Sequence, residues 1–543
     1  MSKPISATWS NNHRPADVAA YVESGAWPNL TLADYLDAAM RADPDRTLFW
    51  ETTRRWTVRD IHDSAHALAS ALNHLGVRRG DVISFQLPNW CEAVIIDCAA
   101  AIGGFVNNPI VLIYRDAELR QILPDCQSKV IFIPESYRGF DFRAMAERVR
   151  ADAPSLQHLV TVRGDGALTL ESLIALGKER PLKQERTDPN RPKLIMYTSG
   201  TTGRAKGVVH CHNAIHCDLS AHQRFWKLTE HDRSFVTGPV GHMSGYLYAC
   251  NGPLQWRIDC AVVERWNVDE AADLIDNLGL TFTVGATPFL QDLVALSRQT
   301  GRKFETLRLF ACGGAPVPPE IIRSVYRTLP NTVSYRCYGS TEAPTTTLGV
   351  SDPSDIDACA LTDGEIFNNY VKVVDDDGRT LAAGCEGEIL IRGPECMMGY
   401  SRDEDNAAAF DEDGYWRSGD LGVLDARQRV TVTGRKKDLI IRGGENLSAK
   451  EIEDAMHTHP AIRQASVVAA PHPRMGESVY AFIVCQEGAT IDLPELSAFL
   501  TKAGLAKQKI PEAYELVTDL PMTPFGKVKK NVLRDRLAEK IRS

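Results

Sequence analysis

Hydrophobic positions along the chain recur with two alternating periods. Over 34–75, Leu36, Ala39 and Met40, then Ile61, Ala65, Leu68 and Leu72, return every three or four residues, which predicts amphipathic helices. Between them 47–50 reads as a strand, and further on 81–87 and 129–133 read as strands around a helix at 90–101. Strand and helix alternate, so parallel α/β layers are expected. The polar stretch 180–192, with three prolines, reads as a linker into an apolar strand at 194–196, and 208–219 reads as the start of a helix.

Beyond that point each predicted strand ends on a polar or glycine-bearing turn. The strand at 233–239 runs into Val240-Gly-His-Met-Ser-Gly245, 280–284 into Gly285-Ala-Thr-Pro-Phe289, 307–312 into Gly313-Gly-Ala-Pro316, and 333–337 into Tyr338-Gly-Ser-Thr-Glu342. Ligands of open α/β sheets bind outside the carboxyl ends of the strands, so these turns are expected to line one crevice. From 370 the texture becomes β-rich, with strands at 371–374 and 387–392 about a turn at 375–378, the pattern of a smaller antiparallel subdomain. Residues 414–420 read as a turn carrying Asp420, and 429–433 as a strand ending at the polar break 434–438.

The last hundred or so residues read as a compact α+β unit. A capping box at Ser448 and Glu451 opens a helix at 449–457. Strands follow at 464–470, 478–485 and 514–517, Asp492 caps a helix at 493–502, and a last helix covers 528–541. The expected division is an N-terminal domain of α/β layers with a β-rich subdomain (1–434), a hinge (435–438) and a small C-terminal domain (439–543).

Composition narrows the function. With 543 residues, 44% hydrophobic content and a net charge of −9, the chain is globular and lacks the basic footprint of a nucleic-acid surface. The N-terminus has no apolar signal core, and the most apolar window, 93–106, is short and interrupted by Asp97, so no transmembrane segment and a cytoplasmic location are expected. Thirteen cysteines without a CxxC pair suit buried reduced thiols. The cluster His210-Cys-His212 with His216-Cys217 reads as packed helix entry, because no second ligand pair at metal spacing accompanies it.

The chemistry centres on Tyr197-Thr-Ser-Gly-Thr-Thr-Gly-Arg-Ala-Lys-Gly207. Three glycines permit sharp turns, Thr198, Ser199, Thr201 and Thr202 offer hydroxyls, and Lys206 adds a cation, a composition suited to wrapping a polyphosphate. The spacing is not that of a Walker A loop. No GxSxG elbow, paired-carboxylate motif or metal cage is present; the remaining candidates are Glu342, Asp420, Arg435 and Lys527. Such an inventory fits catalysis by positioning and charge neutralisation. A carboxylate substrate, already ionised, can attack a phosphate without a general base while Mg²⁺ held through Glu342 and the Lys527 cation offset the charge.

With these segments in this order, nearly the whole chain resembles the adenylate-forming superfamily of acyl-CoA synthetases, carrier-protein-dependent adenylation domains and luciferases. The resemblance implies that Thr198, Ser199, Gly200, Thr201, Thr202, Gly203 and Lys206 hold the phosphates of ATP, and that Gly313, Gly314, Ala315, Tyr338, Gly339, Ser340 and Thr341 serve its adenosine end. It implies Glu342 for Mg²⁺, Asp420 and Arg435 for the ribose, and Lys527 for adenylation, with His242 and Thr198 beside Lys527 and Glu342 as catalytic candidates. Lys437 falls at the hinge about which the small domain would move, and Gly443, Gly444 and Glu445 match the loop that meets CoA. The implied reaction converts an acid and ATP to acyl-AMP and pyrophosphate, then transfers the acyl group to a thiol.

Family position assigns the acyl pocket to His242, Met243, Tyr246, Gly285, Ala286, Thr287, Gly313 and Gly314. Amino-acid-activating relatives carry an Asp in the segment matching 241–245, and its absence would leave a buried ammonium unpaired. Met243 also lacks the amide with which hydroxybenzoate-activating relatives read a ring hydroxyl. The segments are similar to those of short- and medium-chain acyl-CoA synthetases and cyclohexanecarboxylate-CoA ligases. A medium-chain aliphatic or alicyclic acid is therefore expected, with an aromatic acid, a carrier-protein acceptor or a non-catalytic nucleotide-binding module as alternatives. Small-molecule acid and CoA are the expected partners, and homo-oligomerisation is left open.

Overall fold

The computed structural model describes residues 4–181, 185–198, 204–314, 317–523 and 527–542. Two seven-stranded sheets form the larger part of the molecule. One runs, in spatial order, Val333–Arg336, Leu309–Cys312, Phe282–Gly285, Arg233–Val236, Asp259–Val262, Thr47–Trp50 and Arg55–Thr57. Its strands are parallel except for the last, which hairpins back on Thr47–Trp50. The other runs Gly399–Tyr400, Lys206–Cys211, Pro192–Thr198, Val106–Pro109, Val82–Phe85, Val130–Pro134 and His158–Val162. It is parallel from Pro192–Thr198 onward and antiparallel at the other edge.

One apolar core, including Phe85, Phe132, Phe235 and Phe282, draws on both sheets. Helix Cys91–Gly103 is buried on every face, which explains why its residues are apolar apart from Glu92 and Asp97, and it packs against Leu32–Ala42 and Val58–His74. Thr31 with Asp34, and Thr57 with Asp60, form the capping boxes that start those two helices.

Three expectations are corrected. The stretch 208–219 does not begin as a helix: Val208 and Val209 are β-branched and pair with Met196 and Ile195, so Lys206–Cys211 is a strand and the helix starts only at His212–Phe225. The two strands that flank the glycine-rich loop, Pro192–Thr198 and Lys206–Cys211, therefore pair antiparallel. Asp420 lies within the strand Trp416–Leu424, not in a turn; Gly419, at φ +68, is the residue that gives its segment a turn-like composition. The neighbouring strand Val430–Arg435 extends beyond the expected 433, and the break after it is a short 3₁₀ turn, Lys436–Asp438. These two strands join Tyr370–Val374 and Glu386–Arg392 in a four-stranded antiparallel sheet.

The C-terminal part is a five-stranded sheet flanked by helices Ala449–Met456, Leu493–Lys502 and Lys530–Arg542. Its own core, with Ile440, Ile452, Val467, Ile483 and Leu496, is separate from the larger one. Asp492 caps its helix as expected, accepting from the Glu495 amide at 2.8 Å. Only half of the box at Ser448 forms: Ser448 accepts from the Glu451 amide at 3.3 Å, while the Glu451 carboxylate turns to Lys509 at 2.6 Å. Among the described residues no helix is long and apolar enough to cross a membrane.

Candidate active site

Four neighbouring parallel strands, Arg233–Val236, Phe282–Gly285, Leu309–Cys312 and Val333–Arg336, end at one edge of their sheet, and each opens into one of the turns singled out in the sequence. The turns need small residues. A Cβ at Gly313 would stand 2.7 Å from the Cys337 carbonyl oxygen, one at Gly339 would overlap the Pro344 carbonyl, and Gly314 sits at φ +79. Ser340 accepts the Ala343 amide at 3.1 Å, and the Thr341 carbonyl takes a hydrogen bond from His210 Nε2 at 2.7 Å.

The charged residues converge from three sheets. The Tyr338 hydroxyl donates to Asp420 Oδ2 at 2.7 Å, and Arg435 Nε meets Asp420 Oδ1 at 2.7 Å. Asp420 and Arg435 are also direct partners across adjacent strands. Glu342 Oε1 accepts from the Tyr400 hydroxyl at 2.9 Å. A carboxylate has acceptor room beyond one such bond, and its hard oxygens fit a Mg²⁺ ion. At the root of the hairpin Thr198 pairs with Lys206, whose ammonium lies 3.4 Å from Asp405 and 4.8 Å from the Tyr400 ring centroid. Ser199, Gly200, Thr201, Thr202, Gly203 and Ala315 lie outside the described residues.

Lys527 reaches the same place from the C-terminal part. The residue as a whole is exposed to solvent, while the surroundings of its ammonium are dense enough to desolvate it. That desolvation, with the positive charge of Arg435, lowers its ammonium to about 8 against the opposing pull of Asp420 and Glu342. His242 feels it as well: burial, then the Lys527 charge, lowers the imidazole to about 3, so the ring is neutral at physiological pH. His242 precedes the helical turn Met243–Gly245, with Nδ1 3.2 Å from Ser244 Oγ. Lys437 stands close enough to lower Lys527 further and is itself lowered by burial and by Arg435.

Among the pocket candidates, Met243 is 3% exposed, Gly285 has Thr237 Oγ1 within 2.8 Å of where a Cβ would be, and Thr287 is buried near Cys312 Sγ at 3.8 Å. Ala286 is the extended residue that starts helix Thr287–Thr300. Tyr246 presents no free hydroxyl. It donates to Asp97 at 2.7 Å and receives Lys193 Nζ at 2.5 Å, inside a buried network completed by the Lys193–Asp97 pair and by Asn107 and Asn251. Removing one charge from such a pair typically costs about 3–5 kcal/mol.

Gly443 and Gly444, at φ +61 and +90, make the two-residue turn of a hairpin between Leu439–Arg442 and Glu445–Ser448. Glu445 accepts from Gln508 at 3.0 Å. Three participants escaped sequence reasoning: Tyr400, Asp405 and Ser418, whose Oγ accepts the Asp420 amide at 3.0 Å. Each acts across a fold-dependent contact or a local turn without a motif. Among the described residues, His210, His212 and His216 do not come together as a group of metal donors. His210 and His216 are tied to Thr341 and Gln255, and all three are held neutral by burial. None of the thirteen cysteines is disulfide-bonded among the described residues.

Comparison with known proteins identifies the family. Residues 36–401 match the model of the AMP-binding enzyme family, and 451–527 match that of the AMP-binding enzyme C-terminal domain. The chain is 34% identical to the medium-chain fatty-acid–CoA ligase of Escherichia coli K12 over 96% of its own length and 93% of the relative's. It is 30% identical to the indoleacetate–CoA ligase of Aromatoleum aromaticum, covering 94% and 99%. Its fold superposes on the crystal structure of ATP-bound MatB from Rhodopseudomonas palustris with a TM-score of 0.83, at 27% identity over 93% and 99% of the two chains. The chain thus belongs to the AMP-binding family of adenylate-forming CoA ligases and adenylation enzymes, which work with ATP, Mg²⁺ and CoA.

Proposed function

We propose that this enzyme joins a medium-sized hydrophobic carboxylic acid, medium-chain aliphatic or alicyclic such as cyclohexanecarboxylic acid, to CoA. One observation carries the substrate class. The turn at 240–245 buries Met243 to 3% exposure and holds no carboxylate, and the other pocket candidates, His242 and Tyr246 apart, are glycines, alanine and threonine. An acid bearing a buried ammonium would find no partner there, whereas burying an alkyl chain gains about 0.8 kcal/mol per methylene. The 34% identity to a medium-chain fatty-acid–CoA ligase points the same way. An aromatic acid is the second reading, favoured by the 30% identity to the indoleacetate–CoA ligase.

In the first half-reaction a carboxylate oxygen forms a bond to the α-phosphorus of ATP as the α–β anhydride bond breaks and pyrophosphate leaves. Asp420, held by Tyr338 and Arg435, would accept from the ribose hydroxyls, and the Lys527 ammonium would offset charge on the phosphate and the incoming carboxylate. When bound, Mg²⁺ would be held through Glu342 and would neutralise the phosphates. In the second half the CoA sulfur bonds to the acyl carbon, AMP leaves with its oxygen, and the thiol proton passes to water. We assign residues 1–434 to the nucleotide and acyl part, 435–438 to the hinge and 439–543 to the part that presents first Lys527 and then the Gly443–Gly444 turn.

The test is pyrophosphate release across butyrate, octanoate, cyclohexanecarboxylate, benzoate and palmitate, with and without CoA. Highest kcat/KM for octanoate or cyclohexanecarboxylate, with release accelerated by CoA, is expected. A maximum at benzoate would move the assignment to the aromatic reading, and slow release indifferent to CoA would move it to a carrier-protein acceptor.

A further inference from the structure

Away from this cleft, two helices bring three metal-ligating side chains to one point. His62 and His66 are one turn apart on Val58–His74, with ring centroids 4.3 Å apart. Asp37 projects from Leu32–Ala42, and its Oδ1 lies 3.4 Å from His62 Nε2 and 3.3 Å from His66 Nε2. The three donor atoms lie within 4.8 Å of one another, and this is the group of three His, Cys, Asp or Glu donors found together among the described residues. A tetrahedral ion with bonds of about 2.0–2.1 Å sets its ligand atoms about 3.3 Å apart. The two distances to Asp37 already match that edge.

A neighbouring carboxylate supplies a second reason. His62 Nδ1 is 3.0 Å from Asp63 Oδ1, and a carboxylate accepts, so Nδ1 carries the proton. A carboxylate on the far nitrogen is also the usual outer partner of a metal-bound histidine, fixing its tautomer and raising its basicity. The side chains of His62, Asp37 and His66 are 21%, 29% and 31% exposed, so an ion can reach them from solvent without a change of fold.

We propose that Asp37, His62 and His66 form a site for a late first-row divalent cation of the Zn²⁺ type, completed by water, that ties helix Leu32–Ala42 to helix Val58–His74. Two imidazoles and one carboxylate select against Mg²⁺, which takes oxygen donors, so the ion of the reaction would not compete. None of the three residues belongs to the catalytic cleft, and the role is that of a clamp: bound ion would stabilise the folded state by mass action.

The test uses the full-length protein, treated with chelator and freed of it, titrated with ZnSO₄ by calorimetry and followed by thermal unfolding. One site with a Kd of about 10 µM or tighter is expected, with a rise in Tm on binding. The double variant His62→Gln/His66→Gln should lose affinity by at least about 100-fold and Asp37→Asn by about tenfold, as ligand losses do. Both should keep wild-type Tm without zinc and wild-type pyrophosphate release with Mg²⁺. Cys385, the exposed thiol, is replaced by Ser in a parallel sample so that thiol binding is not mistaken for the site. A wild-type site weaker than about 10 µM, or one that the double variant retains, overturns the proposal, the second result leaving binding by other groups as the explanation.

Discussion

In the proposed reaction, Lys527 is the side chain whose charge state matters most. Its ammonium is lowered from the ordinary 10.5 to about 8, so the charged form dominates below that pH and is lost as pH rises through it. The kcat/KM for ATP in acid-dependent pyrophosphate release, which reports the free enzyme, should fall on that alkaline limb. Lys527→Arg should move the limb upward out of range, since guanidinium stays charged, and Lys527→Ala should lower adenylation about 10²–10³-fold. A limb near 8 that persists in the Arg variant would assign it to another group. His242, held to about 3, adds no limb in the neutral range. At this scale the sequence exposed Glu342, Asp420 and Lys527 through motif and residue type. It concealed Tyr400 and Asp405, because Lys206 is brought to their segment by the pairing of Gly399–Tyr400 with Lys206–Cys211, and Glu342 by a backbone bond from Met397.

Among the elements, the short turn Lys436–Asp438 separates the strand that carries Arg435 from the hairpin that carries Gly443 and Gly444. If the small domain turns about this point between half-reactions, the φ of Lys437 must be free to change, and proline fixes φ near about −65°. Lys437→Pro should leave acyl-AMP formation within about threefold while slowing thioester formation tenfold or more, measured as separate single-turnover half-reactions. Equal loss in both would remove the hinge from the account. Element boundaries were legible where a cap or a periodic face fixed them, as at Asp492 and along Val58–His74. They failed at 208–219 because Val208 and Val209 follow their cross-strand partners rather than a helical period, and at 414–420 because Gly419 gives an irregular strand the composition of a turn.

On the scale of the whole molecule, the order of the large parallel sheet sets four turns side by side, and the four-stranded sheet delivers Asp420 and Arg435 to them. The C-terminal part has its own core, yet Lys527 from it shares a field with Glu342, Asp420 and His242 of the rest. Alternating strands and turns made the layers and the crevice legible; the two-sheet arrangement and the buried Lys193–Asp97 network beneath Tyr246 depend on contacts across long stretches of chain and carry no local signal. The central claim is that one active site performs two coupled transfers ending in a CoA thioester. The direct measurement is identification of all products by mass spectrometry after incubation with ATP, Mg²⁺, octanoate and CoA. Octanoyl-CoA, AMP and pyrophosphate in equal amounts, with octanoyl-AMP seen when CoA is omitted and consumed when it is added, is the predicted result. ADP with phosphate, or octanoyl-AMP that persists unchanged in the presence of CoA, would contradict it.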